Sequence, residues 1–129
     1  MNNLAIDTSD FYRLMCEKAE LLQSNWKPVL GDYVAYYLTG RKIRNFEGIC
    51  RYGYDDEIKI FDKRDCVWLP TQHQLVKMLT PKQATYSFTY ISYTAIERGR
   101  SWEQHWLRQV MYHVYEQKWI RQLSDWRDI

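Results

Sequence analysis

The run Cys66-Val-Trp-Leu-Pro-Thr-Gln-His-Gln-Leu-Val-Lys-Met-Leu79 limits the possible folds of this chain more than any other segment. It begins with apolar and β-favouring residues, and Pro70 ends that pattern because proline cannot donate a hydrogen bond to a strand ladder. Thr71 and Gln74 have the spacing of a capping box, in which a hydroxyl and an amide each satisfy a backbone N–H at a helix start. The run therefore predicts a buried strand followed at once by a short amphipathic helix.

Two other segments have the periodicity of amphipathic helices. From 7 to about 24, apolar residues recur at helical spacing, and several Asp, Ser and Thr residues at the start are possible N-caps. Ser101 and Gln104 form a second capping-box pattern, and the helix that they open carries its apolar side chains within about half of its circumference. We expect this C-terminal helix to extend toward Trp119 and Ile120.

Several short segments favour strands because β-branched, aromatic and alternating residues dominate them. They are Tyr33–Leu38, Phe46–Tyr54, Glu57–Phe61, Cys66–Leu69 and Tyr86–Tyr90. The links between the first four are short and rich in turn residues, which favours antiparallel neighbours. We expect Pro81 to stop the middle helix, and Thr94–Arg98 is compatible with either a strand or a helix.

The order of these elements predicts an α+β fold. We expect a small antiparallel sheet of three to four strands, arranged as a meander and packed against an N-terminal helix, a short middle helix and a C-terminal helix. The 129 residues contain 46% hydrophobic residues and no internal repeat or linker, so we expect one domain over residues 1–129.

Charge, cysteine count and apolar runs indicate which partners and which cellular compartment to expect. A formal charge of +2 is too small for the broad positive field of a non-specific nucleic-acid binder. Cys16, Cys50 and Cys66 are an odd number of distant cysteines in apolar contexts, which favours buried thiols in a reducing compartment. No apolar run is long enough to cross a bilayer, and the N-terminus has no export pattern, so we expect a cytoplasmic protein without a membrane partner.

No pattern predicts a reactive centre. His105 and His113 lie eight residues apart on one predicted helix, too far for a single metal ion, and no Cys/His spacing matches a zinc module. Phosphate-binding and nucleophile-elbow motifs are also missing from the sequence. We therefore expect no catalytic residue, no metal and no cofactor. The sequence is more consistent with a non-enzyme than with an enzyme.

Aromatic residues are abundant, with eleven Tyr, six Trp and four Phe, and they permit two interpretations. Tyrosines beside cations would suit the stacking and charge of a single-strand nucleic-acid binder. The residues of that interpretation are Arg41, Lys42, Arg44, Arg51 and Tyr52. We favour the other interpretation, in which the rings build the core of a small sheet and a subunit contact, because the basic run is short and acidic residues follow it.

The C-terminal tail is unusually apolar for a chain end. Trp119 and Trp126 lie in it together with Ile120 and Leu123. Either the tail packs back on the sheet, or its two tryptophans bind a partner.

The sequence Trp68-Leu-Pro-Thr-Gln-His-Gln-Leu75, preceded by Trp26-Lys-Pro28 and Gly31-Asp-Tyr33, resembles a group of small uncharacterised phage and prophage proteins. Those proteins share a Trp-Leu-Pro-x-Gln-x-Gln-Leu motif, usually with Asp where this chain has His73. The resemblance implies phage or prophage origin and a bacterial host cytoplasm. The group has no established activity, so the resemblance implies no catalytic residue.

Three functional hypotheses follow. The leading one is a non-enzymatic accessory protein that acts through protein contacts, as a possible homodimer, with exposed Tyr and Trp surface. The first alternative is a single-strand nucleic-acid-binding module. The second alternative is a small-ligand binder or an enzyme whose site forms only when distant residues converge.

Overall fold

The computed structural model describes residues 6–37, 46–53, 62–94 and 101–129. Its helices and strands follow the chain in an α+β order. They are α1 (Asp10–Lys18), α2 (Glu20–Asn25), β1 (Tyr33–Tyr37), β2 (Phe46–Arg51), a 3₁₀ turn (Lys63–Asp65), β3 (Cys66–Trp68), α3 (Gln72–Lys77), α4 (Pro81–Thr94), α5 (Trp102–Tyr115), β4 (Gln117–Ile120) and β5 (Asp125–Asp128).

The main sheet is antiparallel, and β1 is its central strand, in the order β2-β1-β3. Val34 of β1 is opposite Cys50 on one side and Trp68 on the other. A meander predicts that β1 pairs with β2, and it does. The third strand, β3, pairs with the other edge of β1. The predicted strand Glu57–Phe61 lies outside the described residues.

The predicted N-terminal helix is present as two helices, α1 and α2. Ser9 is the N-cap of α1, and its hydroxyl accepts a hydrogen bond from the Tyr12 N–H. The break is at Ala19, whose N–H donates to the carbonyl of Cys16 at 3.1 Å. The Gln23 amide also donates to that carbonyl and bonds both the N–H and the carbonyl of Trp68, so one side chain ties the helix break to β3.

The segment after the middle helix corrects one prediction. The Thr71–Gln74 capping box is confirmed at the start of α3, and α3 ends at Lys77, before Pro81, but Pro81 itself begins a further helix, α4. Thr80 and Gln83 form a further reciprocal pair of cap hydrogen bonds, and proline is well suited to the first helical position. The strand predicted over 86–90 is therefore wrong, because the alternating aromatics lie within a helix with a strong local start.

The C-terminal helix is confirmed as α5, but its predicted extension toward Trp119 and Ile120 is wrong. Glu116 adopts a left-handed conformation (φ 56°) and ends the helix, and the chain continues as the β4–β5 hairpin. Only half of the second capping box forms. The Ser101 hydroxyl accepts from the Gln104 N–H, while the Gln104 side chain donates through Nε2 to Asp7 instead of accepting from the Ser101 N–H.

The core lies between the sheet and the helices. Its largest fully buried side chains come from α1, α2, α3, α5 and the segment after β3, and they include Tyr12, Met15, Leu22, Leu69, Leu75, Leu107 and Met111. Cys16, Cys50 and Cys66 are all buried, as predicted. None of the described helices combines the length and the apolar character needed to cross a membrane.

Candidate functional site

Two of the predicted nucleic-acid-binding residues lie within the described part of the chain. The Arg51 guanidinium donates to the Tyr33 hydroxyl at 2.8 Å and lies 4.9 Å from the centre of that ring. Tyr52 packs its ring edge-on to Trp26, with 5.5 Å between the centroids. Arg41, Lys42 and Arg44 lie outside the described residues.

Arg51 is at one end of the β1–β2 ladder, opposite Tyr33, and Tyr37 is opposite Phe46 at the other end. The chain segment that contains the other three cations connects Tyr37 to Phe46, so it is joined to the far end of the ladder. Four strand intervals separate the two ends, which corresponds to about 13 Å. Arg51 is thus distant from the strand ends to which that basic segment is attached.

A cavity of about 450 Å³ lies between the start of α1 and this face of the sheet. Tyr33, Phe46 and Arg51 line it, together with Asp10. Arg51 lies over the Tyr33 ring, and the Arg13 guanidinium lies 4.0 Å from the centre of the Phe46 ring. The Tyr33 and Phe46 rings are therefore already stacked on arginine side chains of the same chain. The interpretation of these rings as a base-stacking platform for nucleic acid stays a prediction.

The two C-terminal tryptophans are buried. Of the two alternatives, this favours a tail that packs back on the rest of the chain, although on α1 and not on the sheet. The assignment of these tryptophans to partner binding stays a prediction. Trp119 and Trp126 are opposite each other in the β4–β5 hairpin, with 5.1 Å between their rings. The Trp126 N–H donates to the carbonyl of Met15, and the Trp119 ring meets Phe11 of α1. The tail packs back on α1, because two large rings gain more from burial there than from solvent.

A second cavity, of about 320 Å³, is named here the Trp26–Trp68 cavity after the two rings in its wall. Trp26 follows α2 and Trp68 ends β3, and their rings are stacked nearly parallel, 5.8 Å apart with 4° between the planes. Met78, directly after α3, and Tyr115 of α5 add apolar surface. The wall thus combines residues that are far apart in sequence.

A buried carboxylate holds this wall in place. Asp32 is 7% exposed, and its two oxygens accept three hydrogen bonds, from the Trp26 indole N–H, the Val29 backbone N–H and the Gln74 amide, at 2.7–3.0 Å. We call these four residues the Asp32 network. Since its donors come from the end of α2, a loop and α3, the network fixes the positions of three segments around one charge.

The same network explains part of the sequence motif. Gln74 was expected as the capping amide, and it does accept from the Thr71 N–H through Oε1, but its Nε2 also reaches Asp32. Trp26, Asp32, Trp68 and Gln74 come from the segments 26–28, 31–33 and 68–75, and the fold brings them together in one place. The motif positions hold the fold together at the cavity wall.

The rim of the Trp26–Trp68 cavity is cationic. Lys27 and Lys77 both line it and are exposed, and neither forms an ion pair with an acidic side chain in the described part of the chain. Burial raises the pKa of Tyr115, against a hydrogen bond with Asn25 that lowers it. The Trp68 indole N–H is buried and has no hydrogen-bond partner among the described groups.

The third feature is an exposed aromatic surface, which we call the α4–α5 aromatic face and define as Tyr86, Phe88, Tyr112 and His113. Tyr86, Phe88 and Tyr112 are 62%, 56% and 50% exposed. The rings also contact one another across the two helices. His113 is edge-on to both Tyr86 and Tyr112, and Phe88 stacks on Trp102 with 6.2 Å between centroids.

Helix α4 is inverted relative to an ordinary surface helix, which buries its large apolar side chains. Between 81 and 89 the only buried side chain is Ser87, whose hydroxyl donates to Gln109 of α5, while Ala84 is half-buried and packs against the core. The small residues therefore face the molecule, and Tyr86 and Phe88 face solvent. Of the 14 residues of α4, Lys82 alone is charged.

Sequence reasoning missed this face because it assigned the segment to a strand. The available signal was Thr80-Pro81-Lys82-Gln83, which has the spacing of a capping box with proline at the first helical position. On a helix, positions 86 and 88 are about 200° apart, so the α4–α5 aromatic face extends along both sides of α4, with Tyr86 next to His113 and Phe88 next to Trp102. No group of three or more His, Cys, Asp or Glu side chains within the described residues is arranged to hold a metal ion.

Comparison of the chain with protein-family models, with curated proteins and with solved structures gave no significant match. The resemblance to small phage and prophage proteins therefore stays a prediction. The functional argument depends on the two cavities and the α4–α5 aromatic face described above.

Proposed function

We propose that this chain is a non-enzymatic accessory protein that works through protein contacts, with the α4–α5 aromatic face as its contact surface and a second copy of the chain as the partner. The observation that carries the proposal is the orientation of α4 over residues 81–89, where Tyr86 and Phe88 are exposed while Ser87 bonds α5 and Ala84 packs against the core. Exposing these rings has a free-energy cost in water that burial in an interface removes.

The composition of the face supports this proposal. Interface cores are enriched in Tyr, Phe and Trp and depleted in Lys, Glu and Asp. Tyr86, Phe88 and Tyr112 supply large contact area, and each ring has few rotatable bonds, so little side-chain entropy is lost on binding. The contacts of His113 with Tyr86 and Tyr112 also hold the rings in place before a partner arrives.

The charge of the face favours a second copy as the partner. In a two-fold symmetric dimer the same patch meets itself, so any charge at its centre meets an equal charge. The segment 81–89 of α4 carries one charge, on Lys82 in its first turn, and the rings at 86 and 88 lie beyond it. The α4 part of the face therefore satisfies the requirement of self-complementarity without like-charge repulsion.

Sedimentation velocity over a range of protein concentrations tests the proposal. We expect the wild-type chain to sediment as a dimer at high concentration and to dissociate on dilution. Phe88→Glu and Tyr86→Glu should each give a monomer, because a carboxylate would then meet its own copy across the two-fold axis. Leu123→Glu is the matched control, since Leu123 is 55% exposed in the β4–β5 turn and outside the face, and it should leave the dimer intact.

Two results would refute the proposal. One is a wild-type chain that stays monomeric at the highest concentration tested. The other is a dimer that Leu123→Glu disrupts as strongly as Phe88→Glu does, because the contact would then lie elsewhere on the molecule. Circular dichroism of each variant verifies that the fold is retained.

A further inference from the structure

We propose that the Trp26–Trp68 cavity is a binding site for a small aromatic anion, such as an arylacetate. The site is separate from the α4–α5 aromatic face, and none of its lining residues belongs to that face. The proposal is therefore independent of the dimer and has its own test.

The size and walls of the cavity suit a small planar ligand. Its volume of about 320 Å³ is at the lower end of the range for small-molecule sites, which are concave, mostly apolar and lined by a few polar groups. Trp26, Trp68 and Tyr115 supply aromatic walls, and Met78 supplies a polarizable thioether. Aromatic rings gain from edge and stacked contacts, and sulfur adds favourable contacts with a ring edge.

The walls are also rigid. Trp68 is held through its backbone by two hydrogen bonds to the Gln23 amide, at 2.8 and 2.9 Å. Trp26 is held through its indole N–H by Asp32 and through its ring by Trp68. A site whose walls are already ordered loses little conformational entropy when a ligand enters.

The charges around the cavity favour an anion. Among the described lining residues Asp32 is the one carboxylate, and its charge is already satisfied by the three N–H donors of the Asp32 network. Lys27 and Lys77 remain at the rim without an acidic partner in the described part of the chain. A ligand carboxylate at the rim would be attracted by these ammonium groups, while its ring packs against the tryptophans.

A further observation concerns the Trp68 indole N–H. Trp68 lines the cavity, and its N–H is buried and lacks a partner among the described groups. Leaving a buried donor unpaired has a free-energy cost, which a ligand oxygen that reached the N–H after a shift of the surrounding side chains would remove. The residues around the cavity thus include one buried donor and two rim cations without a described acidic partner.

The experiment is a titration followed by two-dimensional ¹H–¹⁵N NMR of the full chain, with indole-3-acetate as the probe and indole-3-acetamide as its neutral analogue. The six tryptophans give six indole N–H peaks, and the peak that disappears in Trp68→Phe is assigned to Trp68. We expect indole-3-acetate to move that peak in a saturable way. The neutral amide should bind about fivefold more weakly, since an exposed charge pair contributes up to roughly this factor.

Charge-removing variants locate the anion. Lys27→Gln and Lys77→Gln should each weaken indole-3-acetate binding about two- to fivefold and leave the binding of the amide unchanged. Lys118→Gln is the matched control, because it removes the same charge from an exposed position of β4 that does not line the cavity. It should leave both affinities unchanged.

Four results would overturn the proposal. They are a Trp68 peak that does not move at millimolar ligand, equal affinity for the acid and the amide, a loss of affinity in Lys118→Gln as large as in the two rim variants, and a Trp68 peak that moves with protein concentration alone. The last result would assign the cavity to self-association. Because the three lysines are exposed, none of these variants is expected to unfold the chain.

Discussion

The wall of the Trp26–Trp68 cavity, which the Asp32 network holds in place, and the α4–α5 aromatic face are both rich in aromatic residues. The rings of the two regions have opposite surroundings. Around Asp32 the rings of Trp26 and Trp68 are buried and stacked, and the indole N–H of Trp26 donates to the carboxylate. On the face, Tyr86 and Phe88 are more than half exposed and lie on a helix whose buried side is small. The comparison teaches that the number of aromatic residues does not show whether they stabilise the fold or bind a partner. The residues that each ring contacts do show it.

The two regions should therefore respond differently to substitution. Changes in the network remove buried contacts and leave donors unpaired, so they should lower the free energy of unfolding. Changes on the face remove side chains that contact mostly solvent in the monomer, so they should affect association and leave the fold intact. The predictions below test this difference in order of decreasing expected effect on stability.

The largest effect is expected for Trp26→Ala. It removes the stack on Trp68, the edge contact with Tyr52 and the hydrogen bond to Asp32. Truncation of a buried aromatic ring lowers the free energy of unfolding by about 3–5 kcal/mol. Urea unfolding followed by circular dichroism measures the change, and a loss below 1 kcal/mol, on the order of a surface substitution, would contradict the structural role of the ring.

The next effect is expected for Asp32→Ala, which leaves the donors of Trp26, Val29 and Gln74 without their acceptor. Each buried group left unpaired costs about 1–3 kcal/mol, reduced where water can reach it. Urea unfolding of the variant should show a loss within or above that range. Asp10→Ala is the control, because the Asp10 side chain is 94% exposed and its removal should change stability by about 0.5 kcal/mol or less.

Glu103→Gln tests a buried carboxyl in the first turn of α5. Burial raises the pKa of Glu103, and the nearby Asp7 raises it further, against a backbone hydrogen bond that lowers it. A carboxyl whose pKa is raised by folding contributes stability at low pH and loses it as the pH rises through its folded-state pKa. We therefore expect Glu103→Gln to become more stable relative to wild type as the pH rises from 4 to 7.

Urea unfolding at several pH values measures that difference. Parallel stability curves for the variant and the wild type would show that the carboxyl is equally easy to ionise in the folded and unfolded states. A variant that loses stability relative to wild type as the pH rises would show the opposite sign. Either result would contradict the effect of burial at this position.

The smallest effect on the fold is expected for Phe88→Ser. In the monomer this ring is 56% exposed and stacks on Trp102, so the free energy of unfolding should change by about 0.5 kcal/mol or less. Its effect should appear in the concentration dependence of the thermal midpoint, because a dimer is stabilised by mass action. The midpoint of the wild type should rise with protein concentration and that of Phe88→Ser should not; a rise in both would remove Phe88 from the interface.

Local signals account for the elements that the sequence predicted. The capping box at Thr71 and Gln74 and the start of α5 at Ser101 depend on hydrogen bonds between residues three apart, so no distant contact is needed to form them. The strand at Cys66–Trp68 follows from a short apolar run that ends before Pro70. The break between α1 and α2 has no such signal, because it is held by Gln23 and by its contact with Trp68, 45 residues away.

The wrong predictions arose where two local signals competed. The alternation from Tyr86 to Tyr90 favours a strand, but Thr80 and Pro81 start a helix just before it, and the backbone hydrogen bonds of a started helix extend through residues of weak helix propensity. At the other end, the apolar Trp119 and Ile120 continue the helical pattern of α5. The left-handed Glu116 ends the helix there, and packing of Trp119 and Trp126 against α1 favours the hairpin.

The sequence by itself determined the α+β class, the capped helix starts, and the burial of the three cysteines, because periodicity, caps and apolar runs act over a few residues. Tertiary structure decided which aromatic rings are buried and which are exposed, and it brought Trp26, Asp32, Trp68 and Gln74 together. The physical reason is that a ring removes the same apolar surface from water whether it packs in a core or against a partner. Only the positions of the other chain segments determine which of the two is available.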